Sequence, residues 1–315
     1  MGWTSGDIPD QTGQVAVVTG ANRGLGFETV RALAARGAHV VMTARDPAEG
    51  DSARRSILAE HPAASLTVRR FDLASLDAVR HFAAELVADH PEIDVLVNNA
   101  GVMGTPRVET ADGFELQFGV NHLGHFALTA FLMPALLRAE AARVVSVSSF
   151  ARLWGGRLDP ADPHRTRRYS AWRAYGQSKM ADLRFALELD RRLVGAGARA
   201  RSLVVHPGFT HTNLQAEAVR ASGGALPQRL VHRAVVLFGM TPERGAGAHL
   251  RAATDPGAQG GELYTPRWVA WGPPVRRPVT LWSRRPSAAR RLWDVSERET
   301  GIVFDVAAMV QADRG

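Results

Sequence analysis

The chain contains no cysteine. That absence removes disulfides, thiolate nucleophiles and Cys-ligated metal centres together. Lysine is almost missing too: of 38 Lys and Arg residues, Lys179 is the one lysine. Tyrosine is nearly as scarce, at three residues. No apolar run reaches the length of a membrane span. The longest, Leu128 to Leu137, has ten residues and includes Pro134, whereas a spanning helix needs about 20. The N-terminal MGWTSGDIPDQTG has neither a basic start nor an apolar stretch, so no export signal is expected. These absences lead to the expectation of a soluble, cytoplasmic protein with no membrane partner.

What is present is a large apolar fraction. Of 315 residues 45% are hydrophobic and 22% charged, enough for a sizeable core and too apolar for dominant disorder. Net charge is +7 and the isoelectric point about 10.9. In a chain rich in Arg and Ala this reads as coding bias, not as a nucleic-acid footprint. The arginines at 276, 277, 284, 285, 290 and 291 lack interleaved aromatics and read as solvated surface, so no nucleic-acid partner is expected. Where arginine has taken the surface roles, a surviving lysine sits where a guanidinium would not serve.

Short apolar runs alternate with helical patterns. Strands are expected at Val15–Thr19, Ala38–Thr43, Leu66–Phe71, Ile93–Val97, Arg143–Val147 and Arg201–His206. Most are continuously apolar, as parallel strands covered on both faces are. Between the first two, Leu25–Arg36 carries Phe27, Val30, Leu33 and Ala34 on one stripe, with Gly37 placed to end the helix. Repeated strand–helix–strand units predict an α/β fold, a doubly wound parallel sheet of Rossmann type, in a single domain. The expected organisation is an N-terminal extension at 1–12, a dinucleotide-binding and catalytic domain at 13–265, and a C-terminal extension at 266–315 packing on it. Two stretches, 150–174 and 208–242, break the rhythm and are expected to build the substrate side. The tail is expected to turn helical from Ser287 to Thr300.

Directly after the first strand comes Thr19-Gly20-Ala21-Asn22-Arg23-Gly24-Leu25-Gly26, leading into a helix. Gly20 permits a sharp turn, Gly24 lets backbone approach a pyrophosphate, and Gly26 lets helix pack on strand. The helix N-terminus offers free N–H groups and a positive dipole end to phosphate. The spacing, GxxxGxG, matches the generic GxGxxG fingerprint only in part. At the end of the second strand stands Met42-Thr43-Ala44-Arg45-Asp46-Pro47. Asp46 could serve a ribose as an NAD-type acid. It reads better as a helix N-cap, with Pro47 at N1 and Glu49 at N3 completing a capping box. Arg45, with Arg23, is then left to fork onto a 2′-phosphate, so NADP(H) is expected over NAD(H).

Tyr175-Gly176-Gln177-Ser178-Lys179 opens a helical stretch. Residues four apart share a helix face, with Cβ atoms about 5–6 Å apart. A tyrosine working near neutral pH must lose roughly 3 units from about 10, which costs on the order of 4 kcal/mol. An ammonium about 4 Å away at an effective dielectric near 20 is worth about that much. The pair is notable because this chain has so few tyrosines and one lysine.

Taken in order, TGANRGLG at Thr19–Gly26, Asp72-Leu73, NNAG at Asn98–Gly101, Asn121, Ser148-Ser149, YxxxK at Tyr175–Lys179 and Pro207-Gly208 resemble the short-chain dehydrogenase/reductase family over about residues 13–265. TGANRGLG, TARD at Thr43–Asp46 and VNHLGHF at Val120–Phe126 resemble its retinol-dehydrogenase-like branch, to which the oxidoreductase part of WW-domain oxidoreductases is also similar. So does the long stretch between Ser149 and Tyr175. The resemblance implies that Tyr175 is the general acid/base and that Lys179 depresses its pKa and binds the nicotinamide ribose. It implies that Ser149 donates to the substrate oxygen and that Asn121 anchors a water linking Lys179 to solvent. Gly20, Asn22, Arg23, Gly24, Leu25 and Gly26 would hold the phosphates. Asn98, Ala100 and Gly101 would line the ribose path, Asp72 and Leu73 would flank the adenine, and Pro207, Gly208, Thr210 and Thr212 would close over the nicotinamide.

The residues leave alternatives. Ser148 could replace Ser149. Tyr169 lies in the same region, but position 173 is Arg, so it lacks a lysine partner. His122 and His125 read as packing histidines, with no metal site expected. His206 and His211 flank Pro207-Gly208 and could touch ligand, while Trp154, Trp172, Phe209 and Phe238 could wall an apolar pocket or simply be core. The expected activity is NADP(H)-dependent interconversion of a carbonyl and an alcohol on a small, fairly apolar substrate. A non-catalytic NADP(H)-binding sensor or scaffold is the alternative. Reduction of a carbon–carbon double bond, as in the similar protochlorophyllide reductases, is a third. Homo-oligomerisation is left open.

Overall fold

The computed structural model describes residues 2–210 and 239–314. Its frame is one eight-stranded sheet in the order β3-β2-β1-β4-β5-β6-β7-β8. The six expected strands are all present: β1 (Val15–Val18), β2 (His39–Ala44), β3 (Ser65–Arg70), β4 (Val95–Asn98), β5 (Arg143–Val147) and β6 (Arg201–Val205). They pair in parallel throughout, as continuous apolar runs require when helices cover both faces. Two further strands were not foreseen. β7 (Leu263–Pro266) extends the parallel set, and β8 (Pro274–Arg277) folds back antiparallel at the edge. The boundary drawn at 265/266 therefore falls within β7.

Crossover helices α1 (Gly24–Ala34), α2 (Pro47–Glu60) and α3 (Leu76–Asp89) follow the first three strands. The α1 stripe packs as its spacing dictates, with Val30, Leu33 and Ala34 in the core. Gly37, at φ +92°, ends it by donating to Ala34 O at 3.0 Å. After β4, the short helix α4 (Leu116–Phe118) runs through a π-helical turn at Gly119–Leu123 into α5 (Gly124–Arg138). Together they span 23 residues, long and apolar enough by composition to cross a membrane, yet 83% of their most apolar 18-residue window is buried inside the protein. Its apolar surface is spent on the core, where Phe126, Leu132 and Leu136 pack against the sheet and neighbouring helices.

Helix α6 (Ala171–Gly195) covers β5 and β6, and α7 (Pro242–Thr254) packs on α1. At the C-terminus come α8 (Pro286–Thr300), as expected, and an unforeseen α9 (Val306–Arg314). Trp293 on α8 stacks on Phe185 of α6 and meets Phe126 of α5 edge-on. The tail thus shares the main core rather than standing apart from it.

Candidate active site

The carboxyl ends of β1, β2, β4, β5 and β6 open onto one cleft, lined from Gly20 through Thr210. In open parallel sheets this edge, where strand order reverses beside β1, is where ligands bind. The glycine loop explains its floor. Gly20 sits at φ +65°, a left-handed turn that glycine adopts without strain. A Cβ on Gly26 would strike Gly20 O and lie 2.7 Å from Asn99 Nδ2, so only glycine lets α1 approach this closely. No side chain caps the first turn of α1, and Gly24, Leu25 and Gly26 of that turn line the cleft. A cradle with open helix N–H groups and no room for side chains suits a pyrophosphate.

At the end of β2, Thr43, Ala44 and Arg45 line the cleft. Asp46 caps α2 as expected, accepting from Ala48 N at 2.9 Å with Pro47 in the first turn. Glu49 does not complete a capping box. Its Oε2 instead accepts from Asn22 Nδ2 at 2.5 Å, which ties the glycine loop to α2. Arg45 is exposed at the cleft edge. Asp72 and Leu73 lie on the same side, together with Phe71.

One expected cofactor residue belongs elsewhere. Asn98 does not line the cleft; its Nδ2 donates to Thr129 Oγ1 on α5 at 3.0 Å. Side chains alternate along an extended strand, and Asn99 takes the cleft side instead. Its Nδ2 donates to Thr19 O at 2.7 Å and Gly20 O at 3.2 Å. Ala100 and Gly101 line the cleft as expected. Beneath them Thr19 Oγ1 accepts from the backbone of Asn99 and Ala100, each at 2.9 Å, and meets His125 Nε2 at 2.9 Å. His125 is thus a structural tie, neutral because burial pushes its pKa down to about 3.

The expected Ser–Tyr–Lys set comes from the end of β5 and from α6. Tyr175, Ser149 and Lys179 all line the cleft. Ser149 stands close enough to the Tyr175 phenol to pull its pKa down, and its Oγ accepts from Ala151 N at 3.2 Å. Ser148 also borders the cleft, but its Oγ is committed to Lys179 O, to which it donates at 2.6 Å. Trp172 lies edge-on to the Tyr175 ring, with centroids 6.3 Å apart.

Burial pushes the Tyr175 phenol up, while the Lys179 charge and the Ser149 hydrogen bond pull it down; the net direction is upward. The expected depression by Lys179 is therefore real as a force but outweighed in the protein by itself, since a fully buried phenolate loses its hydration. Lys179 Nζ donates to Val147 O and to Asp182 Oδ2, both at 2.9 Å. A Cβ on Gly101 would stand 3.6 Å from that ammonium. Asp182 was missed by the sequence reading. The available signal was its position, three residues beyond the single lysine on the same helix.

Asn121 ties this region together. Its Oδ1 accepts from Val102 N at 2.8 Å, and its Nδ2 lies 2.9 Å from both Val102 O and Ser178 Oγ. Its backbone oxygen meets His125 Nδ1 at 2.8 Å. Tyr169 stays outside the cleft lining, bonded among Thr105 O, Glu115 and Gln117, and burial with the Glu115 charge pushes it up to about 12. Pro207, Gly208 and Thr210 roof the cleft with His206. The ring of His206 is buried, and neither nitrogen has a partner among the described residues. Burial, then the Arg152 charge, pushes it down to about 3, so it is neutral there. Trp154, Trp172 and Phe209 wall the cleft. Thr212, His211 and Phe238 lie outside the described residues.

A family model for short chain dehydrogenase matches residues 14–222. Retinol dehydrogenase 11 of Mus musculus is 39% identical over 295 residues, covering 93% of this chain and 88% of that protein. Retinol dehydrogenase 13 of Homo sapiens is 41% identical over 215 residues, or 67% of this chain and 64% of that one. Among solved structures, a protein from Mycobacterium paratuberculosis is 40% identical with a TM-score of 0.80, covering 96% of this chain and 99% of that chain. A metagenomic short-chain oxidoreductase in complex with NADP is 26% identical with a TM-score of 0.57, over 79% of this chain and 95% of the other.

Proposed function

The chain belongs to the short-chain dehydrogenase family of oxidoreductases, and from that premise we propose that it interconverts a carbonyl and an alcohol on a small, fairly apolar substrate using NADP(H). The observation that carries this reading is the convergence of Ser149, Tyr175 and, one helical turn on, Lys179 in the cleft lining beside the glycine cradle. Bound there, the nicotinamide cofactor would supply the hydride or accept it. The residues fitted to hold it are Gly20 to Gly26 at the pyrophosphate, Gly101 and Lys179 at the ribose, and Pro207 to Thr210 over the ring.

The remaining chemistry is proton traffic by this chain. Tyr175 gives its hydroxyl proton to the carbonyl oxygen in reduction and takes one from the alcohol in oxidation. Ser149 donates to that same oxygen, while Lys179 steadies the phenolate left behind. Trp172 and Phe209 form apolar walls that limit water near the transfer. An apolar substrate is supported by those walls and by relatives whose names carry retinol, an apolar alcohol. NADP(H) over NAD(H) is supported by Arg45 at the cleft and by Asp46 being spent on a helix cap. Using NADPH in cells favours the reductive direction.

Replacing Tyr175 by Phe tests the assignment. Turnover on a panel of apolar aldehydes and ketones is expected to fall by about 10²–10⁴-fold, with NADPH binding by calorimetry unchanged within a few-fold. Retained turnover in that variant would reject the chemistry.

A further inference from the structure

The Tyr175–Lys179 pair has a third buried member that its motif does not contain. Asp182 lies one turn along α6 from Lys179, and both side chains are only 6% exposed. Its Oδ2 accepts from the ammonium at 2.9 Å, and the same ammonium also donates to Val147 O. Two of three ammonium donors are thus committed before any ligand arrives.

Behind the carboxylate stands His122, whose Nδ1 is 3.9 Å from Asp182 Oδ1. Its other nitrogen, Nε2, lies 2.7 Å from Ser296 Oγ on α8. The Ser296 hydroxyl donates to Leu292 O at 2.8 Å, so His122 donates through Nε2 and turns a bare Nδ1 lone pair toward Asp182. That Nδ1 has no hydrogen-bond partner among the described residues. Phe118, Phe126 and Phe185 surround the ring, a dry cage in which His122 stays neutral. The titratable groups facing Asp182 are therefore Lys179 and Tyr175 on its own helix and His122 on the π-helical turn, with His125 beyond. Among the described residues, β5 brings the Val147 carbonyl and α8 the Ser296 hydroxyl behind His122.

A buried ion pair is poor evidence of stabilisation, since desolvating both charges offsets their attraction. An uncharged side chain could accept from Lys179 just as well. What a carboxylate adds is negative charge beside the phenol's helper. Resting on the reading above, we propose that Asp182 is a positioning residue that biases this site toward proton donation: it holds Lys179 and offsets its charge, so that Tyr175 keeps its proton through neutral pH. Its charge pushes the Tyr175 phenol up and Lys179 up. Burial, against the pull of Lys179, lifts Asp182 itself to about 6. His122 offers an acceptor for the carboxyl proton below that point.

The test is an ultraviolet difference titration of tyrosinate in the full chain, without cofactor or substrate. Tyr175 is identified by subtracting the curve of Tyr175→Phe, and Tyr169 and Tyr264 titrate high. In Asp182→Asn the Tyr175 midpoint is expected to fall by about one pH unit or more, tenfold in proton affinity. The pH profile of alcohol oxidation should move the same way. Asp182→Glu should restore the wild-type midpoint. If Asp182→Asn fails to fold, Asp182→Ala must give the same downward shift. An unmoved midpoint in the folded neutral variant overturns the proposal, even if its melting temperature changes. Because the titration needs no turnover, its failure is distinct from failure of the assigned activity, which is read by turnover of Tyr175→Phe.

Discussion

Ser148 Oγ donates to Lys179 O at 2.6 Å, a bond that spans 31 residues and fastens the end of β5 to the middle of α6. Its neighbour Ser149 faces the cleft and meets Tyr175. Of two residues just past β5, one thus braces the site while the next faces its reacting centre.

Replacing the two serines separates these tasks. Ser148→Ala removes a buried second bond to a helix carbonyl and should cost about 0.5–1.5 kcal/mol, seen as a lower midpoint in denaturant with kcat changed little. Ser149→Ala is expected to lower kcat by about 10²-fold through the lost donor. Its stability cost should stay near 1 kcal/mol, for the lost bond from Ala151 N.

Glycine positions should rank by what a methyl would meet. Gly26→Ala drives Cβ into Gly20 O and close to Asn99 Nδ2, so about 1–3 kcal/mol of stability should go, together with most NADPH affinity. Gly195→Ala, at the end of α6, meets nothing within 4 Å. There the reduced freedom of the unfolded chain should raise stability by about 0.4–1 kcal/mol. Thermal melts and calorimetric titration with NADPH check both.

Arg45 should discriminate the two nicotinamide cofactors. Arg45→Ala removes a guanidinium at the end of β2 without touching the Asp46 cap. A charge-assisted hydrogen bond is worth about 1.5–3 kcal/mol, so NADPH affinity should drop by about 10–100-fold. NADH affinity should be unchanged. Equal loss for both cofactors would place the 2′-phosphate elsewhere.

Acid should destabilise the fold through histidine. Burial pushes His122, His125, His206 and His249 down to about 3 from an ordinary 6.5. Each is depressed in the folded state, so its contribution is complete above pH 6.5 and is lost as pH falls toward 3. Each histidine contributes a slope of about 1.4 kcal/mol per pH unit inside that window. Asp182 runs oppositely: raised to about 6 from 3.8, its contribution is lost as pH rises through 6. Four groups outweigh one, so melting temperature should drop steadily below pH 6.5 in a buffer series. A flat profile down to pH 5 would contradict buried neutral rings.

Local chemistry is what the sequence determined. Apolar runs long enough for one strand and stripes at helical spacing place six parallel strands and their crossovers, because those patterns are dictated by which faces must leave water. Gly20, Gly26, Tyr175 and Lys179 were readable for the same reason: a left-handed turn, a close approach and a pair four apart are properties of neighbours in the chain. Tertiary structure decided the rest. Strands β7 and β8 carry little periodicity of their own; β7 is fixed by pairing with β6, and β8 by pairing with β7. Which of Asn98 and Asn99 faces the cleft, and which of Ser148 and Ser149 gives its hydroxyl to α6, depends on where each strand's last residue leaves the sheet. Asp182 and His122 are 60 residues apart and come together only when α6 is laid against the π-helical turn. Burial, which no linear pattern measures, then sets the direction in which the buried groups around Tyr175 hold their protons.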